Sequence, residues 1–394
     1  MQFGREVEAV LLQTRHGRKG KRRPDFYHLK NRHRFVMVPN TASPRALLPA
    51  GSISREERPL LRPRSTVATP WRKVTLARAR VLRFAAIKLM SAPLELATPT
   101  PSSFAQEVTR LFPGHRLGFF LGNPHNYGRP ALHVFQGGDL VAIGKLGAND
   151  EVQRRRISRE WEMLRSLKSI RGLAGDVPSP ISYHRGHLGE VLLTDAFAAG
   201  DPAPVELTAP LMAWLRSCEQ PRRGDAAKSA LVEQLTAQVA EVAGGDALLS
   251  SFAGSAVQLL AGAQAPVTVV HGDFVPWNMV LDGSTLRVFD WEYGCVEGLP
   301  HWDETHFMLQ VGLIVHRWSR HQFVAALKRA SAQPTLSLDP PQKRATMALV
   351  VVQLILRNLE AGNHHTASLL RRVAEDLGNE GWLSEESHSA PTDA

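Results

Sequence analysis

At 394 residues the chain is long enough for two domains or for one two-lobed enzyme with an extension. Hydrophobic residues make up 43%, which supplies a sizeable core and excludes global disorder. The net charge of +10 is unevenly placed: residues 1–90 carry 21 Lys/Arg against 5 Asp/Glu, and the rest carries 26 against 32. A strongly basic N-terminal region therefore precedes a mildly acidic body.

Two cysteines, Cys218 and Cys295, cannot build a disulfide framework, which fits a reducing compartment. The N-terminal apolar run "AVLL" is too short for a signal-peptide core. The run "MALVVVQLIL" from Met347 falls far short of the ~18 residues of a membrane span. The expectation is a soluble, cytoplasmic protein.

In chain order, residues 1–33 hold "HGRKGKRRP" and little apolar pattern, the composition of a flexible basic arm, with a tail for nucleic acid or an acidic partner as the alternative. A small extension over 34–100 follows. "FVMVP" and "RALLPAG" predict two short strands around turn residues Asn40 to Pro44, and "WRKVTLARARVLRFAAIKLM" from Trp71 predicts a basic helix. Its apolar face suits docking on the body, with a weak membrane-surface contact as the alternative. "ATPTPSS", Ala97 to Ser103, has linker composition.

Beyond it, "HRLGFFLG", "RPALHVFQ" and "LVAIGKLG" predict three strands, "EVQRRRISREWEMLRSLKSI" a helix, and "PISYHRG" and "GEVLLTD" two more strands. From "PLMAWLRSC" onward the pattern is mostly helical, interrupted only by "VVHGDFVPWNMVLDGSTLRVFDWEYG" at Val269 to Gly294. The last residues, 384–394, read as a disordered tail.

That interruption carries the chemistry. "NMVL" and "TLRVF" are strands joined at Asp282–Gly283, a strong hairpin signal. A tight hairpin brings Asn278, at the start of one strand, close to Asp290, at the end of the other. A carboxylate and an amide oxygen together make a half-site for a hard cation such as magnesium, which completes its octahedron with water and nucleotide phosphates. Asp273, on the preceding loop, is then a carboxylate beside the metal. The alternative is a buried His–Asp network without catalysis.

"HGDFVPWN" followed by "VFDWE" resembles the catalytic and metal-binding motifs of the aminoglycoside phosphotransferase and choline kinase family. The resemblance implies a protein-kinase-like α+β fold of two lobes: a small antiparallel-sheet lobe with one helix over 101–197, and a larger, mostly helical lobe over 198–383. The spacing from Asp273 to Asn278 matches the kinase catalytic loop H-R-D-x-x-x-x-N, with Gly272 in place of the arginine. Asp290 then stands where kinases carry the aspartate of D-F-G. By resemblance Asp273 is the catalytic carboxylate, Asn278 and Asp290 are the metal ligands, and the cofactors are ATP (or GTP) and Mg2+.

A small lobe of three strands, helix and two strands is what the resemblance requires, and that order stands in the pattern independently. In such a lobe a third-strand lysine grips the nucleotide phosphates and pairs with a helix glutamate. Lys145 in "VAIGKLG" is that lysine. Glu160 and Glu162 are the candidates for its partner, and Glu160 is preferred by its place on the face of Leu164. Gly122 and Gly128 in "LGNPHNYGRP" offer backbone amides to phosphate, the weaker element of the site. Thr194 to Phe197 mark the expected hinge.

Downstream, "GLPHWDETHF" gives Asp303 a structural role holding the catalytic loop or capping a helix, and His271 reads as a brace for the same loop. His301 and His306 are five apart, which disfavours a shared metal. Glu292 could face a cationic or polyol substrate or brace the loop.

The resemblance is tightest to bacterial phosphotransferase homologues with a basic extension like "RFVMVPNTASPRALLPAG", which implies a role in cell-surface polysaccharide metabolism. The function expected is γ-phosphate transfer from ATP to a hydroxyl of a small molecule: a sugar, an amino alcohol or an aminoglycoside-like compound. No specific nucleic-acid partner is expected. The alternatives are a non-catalytic nucleotide-binding adaptor for membrane or nucleic acid, and a protein kinase. Against the last, no activation segment ending in A-P-E follows "DWE".

Overall fold

The computed structural model describes residues 31–38, 46–49, 92–98, 108–120, 131–137, 139–147, 151–170, 172–173, 175–186, 189–196, 201–242, 246–283 and 285–384. The chain divides into two compact units, Met1–Lys168 with Val177–Gly200, and Ser169–Asp176 with Asp201–Ala394.

The first unit is built on one antiparallel sheet of eight strands. In chain order these are β1 (Asn31–Val38), β2 (Ala46–Pro49), β3 (Ala92–Thr98), β4 (Arg116–Phe120), β5 (Ala131–Gln136), β6 (Asp139–Gly147), β7 (Pro180–Gly186) and β8 (Gly189–Asp195). The spatial order is β3-β1-β2-β4-β5-β6-β8-β7. Helix α1 (Glu151–Leu167) follows β6 and packs on β6, β7 and β8. Its Ile157, Glu160, Met163, Leu164 and Leu167 recur at helical spacing and are buried. Glu151 in the first turn and Arg165 in the last complement the helix dipole.

Strands β4 to β8 and α1 fall where the sequence pattern places them. The N-terminal region departs from its expected boundaries. Asn31–His33, assigned to the arm, begin β1, and Ala97 and Thr98, assigned to the linker, end β3, which pairs with β1 along its length. β2 pairs with β4, so the strands of the extension continue the sheet of the small lobe. The remaining N-terminal segments, with the helix expected from Trp71, and the tail beyond 384 lie outside the described residues.

In the second unit the helices are α2 (Ala209–Ser217), α3 (Ala230–Val242), α4 (Ala247–Leu260), α5 (Trp302–Val311), α6 (Arg320–Ala332), α7 (Pro340–Glu360) and α8 (His364–Asn379). The apolar run from Met347 lies inside α7, which is buried on all sides from Lys343 to Leu356. A helix buried all round belongs at the centre of its domain, and α7 packs against α3, α4, α5, α6 and α8. No described helix is long and apolar enough to cross a membrane. Pro340 opens α7, and Gln342 Oε1 accepts from the Asp339 N–H at 3.1 Å, a helix start legible as "DPPQ".

Two three-stranded sheets complete this unit: β10-β11-β14 and β13-β12-β9. Their strands are β9 (Asp201–Pro202), β10 (Glu219–Asp225), β11 (Gln264–Val270), β12 (Met279–Asp282), β13 (Thr285–Val288) and β14 (Cys295–Gly298). The reading of a mostly helical run from residue 210, interrupted only at Val269 to Gly294, is corrected by β10. Its "EQPRRGD" has neither alternation nor apolar residues and contains a proline, which only an edge strand tolerates. β10 is held by its ladder to the central β11, with a register shift between Glu219 and Arg223. Both cysteines are free thiols.

Candidate active site

The site residues fall in two groups, one in each unit. In the first, Lys145 lies on β6, whose neighbours at that position are Ala131 of β5 and Leu192 of β8. Its Nζ donates to Glu160 Oε1 at 2.5 Å and Oε2 at 2.7 Å. Glu160 sits on the buried face of α1 with its side chain 2% exposed, whereas Glu162 points to solvent and reaches Arg165 at 3.8 Å. A carboxylate on an apolar face needs a cation, and β6 supplies it. Thr194 and Asp195 end β8, where Asp195 Oδ1 accepts from the Ser179 N–H at 2.6 Å. Gly122, Gly128 and Phe197 lie outside the described residues.

The second group starts from the hairpin. β12 and β13 pair from Met279↔Val288 to Asp282↔Thr285, a two-residue turn in which Gly283 takes a φ of 61°. One step further, the Phe289 N–H donates to the Asn278 carbonyl at 2.9 Å. The ladder thus brings Asn278 and the Phe289–Asp290 step to one end of the hairpin. Asp290 itself leaves the strand with a φ of 76°, a left-handed conformation that aspartate adopts more readily than most residues.

Asp273 precedes this end on a loop closed by the short 3-10 turn Pro276–Asn278. Asn278 Nδ2 donates to Asp273 Oδ2 at 2.7 Å and to the Asp273 carbonyl at 3.0 Å. With its nitrogen committed to Asp273, the amide presents its oxygen elsewhere. The other carboxylate oxygen, Oδ1, accepts from His306 Nε2 at 3.0 Å. Burial alone would raise the Asp273 pKa; the His306 hydrogen bond and the positive charge of Arg357 outweigh it and lower it to about 2. The side chain is still one quarter exposed, so its anionic oxygens can meet a ligand.

The loop backbone is fixed on every side. Asp303, in the first turn of α5, accepts from the His271 N–H at 2.7 Å and the Gly272 N–H at 2.8 Å. Burial pushes its carboxyl up to about 7, against those two bonds and the Arg357 charge. Arg357 of α7 donates to the Gly272 carbonyl at 2.6 Å and lies over the Tyr293 ring at 3.7 Å. His271 accepts the Asp273 N–H on Nδ1 at 3.1 Å and donates from Nε2 to the Phe289 carbonyl at 3.0 Å, tying the loop to the residue before Asp290. Full burial lowers its pKa to about 4, so it is neutral, a brace.

Gly272 explains the missing arginine of the kinase pattern. Its φ is 75°, and a Cβ there would stand 2.5 Å from the Tyr293 carbonyl oxygen. Only glycine fits both conditions.

His306 and Arg357 were not among the residues singled out for the loop. His306 had a signal: three positions after Asp303 on a helix start, it shares a face with it. Arg357 had none, since a distant helix brings it in. His301 bonds instead to Glu304 and Thr335, so the two histidines share no site. Glu292 is buried.

Aspartate and asparagine oxygens at one hairpin end suit a hard, oxygen-seeking cation, and the orientation of Asn278 leaves its amide oxygen for that purpose.

No curated protein sequence matches the chain. Among solved structures it is similar to a thermostable mutant of aminoglycoside phosphotransferase APH(4)-Ia in ternary complex with ADP and hygromycin B. The two are 13% identical, cover 71% of this chain and 99% of that one, and give a TM-score of 0.50. Choline kinase LicA from Streptococcus pneumoniae is also 13% identical, over 70% of this chain and 98% of its own, with a TM-score of 0.45. At such identities likeness speaks to the fold alone, which is α+β and kinase-like. The model of the phosphotransferase enzyme family matches residues 147–342, which span the helix of Glu160, the loop of Asp273 and the hairpin of Asp290. Over those residues the chain belongs to the phosphotransferase enzyme family.

Proposed function

We propose that the chain transfers the γ-phosphate of ATP to a hydroxyl of a small molecule. The observation that carries the reading is the Asp273 carboxylate: anionic, partly exposed, and held through both oxygens by His306 and Asn278. An anion so fixed orients a hydroxyl for in-line attack. The acceptor oxygen forms a bond to the γ-phosphorus as the bond to the β–γ bridging oxygen breaks. The hydroxyl proton passes late to Asp273, and ADP leaves.

The low basicity of Asp273 suits this order of events, because phosphoryl transfer asks for positioning and charge neutralisation more than for early proton removal. Asn278 and Asp290 are the residues that would hold Mg2+, which when bound neutralises charge on the phosphates. Lys145, steadied by Glu160, is assigned to the α- and β-phosphates.

A small acceptor is favoured over a protein because only Trp291 to His301 separate Asp290 from α5, too little chain for a peptide-holding segment. Sugars, amino alcohols and aminoglycoside-like compounds, in cell-surface polysaccharide metabolism or elsewhere, are the acceptor classes proposed. The test is ATP-to-ADP conversion by the full chain across a panel of these compounds, with and without magnesium. Acceptor-dependent, magnesium-dependent conversion is expected; ATP binding with no conversion for any hydroxyl compound would favour the adaptor instead.

A further inference from the structure

His306 lies on α5 one turn beyond Asp303, and the two side chains work on the same loop. Asp303 holds the backbone of His271 and Gly272; His306 reaches the carboxylate of Asp273. We infer that His306 is a positioning residue for phosphoryl transfer, whose Nε2–H fixes the rotation of the Asp273 carboxylate towards the acceptor hydroxyl. The inference rests on the phosphotransferase reading above and adds a residue to it.

Three observations support it. First, the carboxylate torsion of aspartate is broad, so a single donor fixes it poorly. Asn278 alone would be that donor, and Asn278 is also the residue proposed for the cation. His306 supplies a second donor that no metal claims.

Second, the ring is fully buried and cannot swing away to solvent. Third, its Nδ1 is buried and has no hydrogen-bond partner. A proton there would go unanswered, with the Arg357 charge adding repulsion, whereas a proton on Nε2 meets an anion. The charged groups acting on the ring are Asp273, which favours its cationic form, and Arg357, which opposes it; burial opposes it most. His306 is therefore a neutral, single-donor imidazole, suited to holding Asp273 without taking its charge.

A merely structural histidine would fill the same space, so the test separates donor from volume. His306→Leu fills the site without a donor; His306→Gln returns an N–H near the Nε2 position. For ATP with the best acceptor, His306→Leu should lower kcat by about 10–100-fold, the usual worth of an orienting partner, and leave KM for ATP unchanged within error. His306→Gln should recover most of that loss. In an Asp273→Asn background His306→Leu should cost nothing more.

Equal losses for Leu and Gln, or full additivity with Asp273→Asn, would overturn the inference. Nitrogen-15 NMR of labelled histidine provides a readout without turnover. It should show His306 as the Nε2–H tautomer, with that resonance moving in Asp273→Asn; an Nδ1–H tautomer overturns the inference even if the Leu variant fails to fold. Wild-type protein that consumes no ATP with any acceptor overturns the phosphotransferase reading, and the positioning role with it. Turnover that survives His306→Leu at full kcat overturns the positioning role alone.

Discussion

The two groups of candidate residues, one in each unit, are built in opposite ways. Lys145 and Glu160 sit on a central strand and a helix, and one buried ion pair joins them. Asp273 sits on a loop, and its neighbourhood is held by Asp303, His306, Arg357, His271 and Asn278 from four segments of the second unit. Regular elements need one contact to orient a side chain because their backbone hydrogen bonds already fix the chain. A loop has no such ladder, so side chains must supply it. The difference predicts how function and stability weigh at each place: at Asp273 and Asp290 single changes should strike chemistry first, and at the ion pair they should strike the fold as well.

The largest effect should come from Asp290→Ala. Removing the carboxylate proposed to bind the cation should leave no measurable ATP turnover in a folded protein, and ATP affinity in magnesium should drop to that seen in EDTA. Normal turnover by this variant would break the assignment of the hairpin end. Asp273→Asn comes next. It keeps shape and size but removes charge and basicity, and kcat should fall by about two to four decades with little change in nucleotide binding. Equal losses in binding and turnover would make Asp273 a structural carboxylate and erase the contrast between the halves.

At the ion pair the asymmetry of burial sets the order of effects. Glu160 is 2% exposed and Lys145 23%. Lys145→Ala strands a buried carboxylate and should destabilise the first unit by up to about 3–5 kcal/mol, the cost of breaking a buried pair. Glu160→Gln leaves a lysine that water can reach, and should cost clearly less. Urea denaturation of the two variants decides it; equal losses would mean that the pair is solvated and that rigidity on this side comes from the sheet alone.

What the sequence made legible follows the same divide. Short-range signals were sufficient for the hairpin of β12 and β13, with its turn one residue later than the Asp282–Gly283 signal, for α1 with Glu160 on its buried face, and for the strand of Lys145, because turn chemistry and periodicity are local. Strand β10 was hidden because its neighbour β11, and not its own residues, makes it a strand. Arg357 was hidden because a helix 85 residues further along the chain delivers it to Gly272. The positive φ of Gly272 was equally unreadable, since the carbonyl that demands it belongs to Tyr293. Contacts set by tertiary approach leave no trace in local pattern.

The loop should also show its dependence on neutral histidine. The pKa of His271 falls from an ordinary 6.5 to about 4 on burial. Between those values the unfolded chain binds the proton that the folded one refuses, so this residue's contribution is full above pH 6.5 and declines as pH falls through 4. His306, lowered also by burial, acts in the same sense. Asp303, raised to about 7, acts in the opposite sense: over pH 4–7 the folded state holds its proton more tightly, which favours folding towards acid. The wild-type slope is thus a difference, and His271→Gln isolates one part of it. The stability advantage of wild type over this variant should shrink by about 3 kcal/mol between pH 7 and pH 4. A pH-independent gap in urea unfolding would show that His271 is not a neutral brace.

The smallest effect belongs to the basic N-terminus, and it marks where the described sheet of the first unit begins. Residues 1–30 carry "HGRKGKRR" without a core-forming pattern, whereas β1 from Asn31 lies between β3 and β2 in the sheet that also holds Lys145. Deleting residues 1–30 should change stability by no more than about 0.5 kcal/mol, as surface changes do, and leave turnover intact. Deleting residues 1–38 removes a strand paired on both sides and should lower the urea midpoint clearly, since both neighbours lose their ladders. Any partner of residues 1–30 should be held by screened charge, so sedimentation with anionic vesicles should fall steeply as salt rises. Vesicle binding that resists salt, or a 1–30 deletion that unfolds as early as the 1–38 deletion, would show that the arm is held by more than charge.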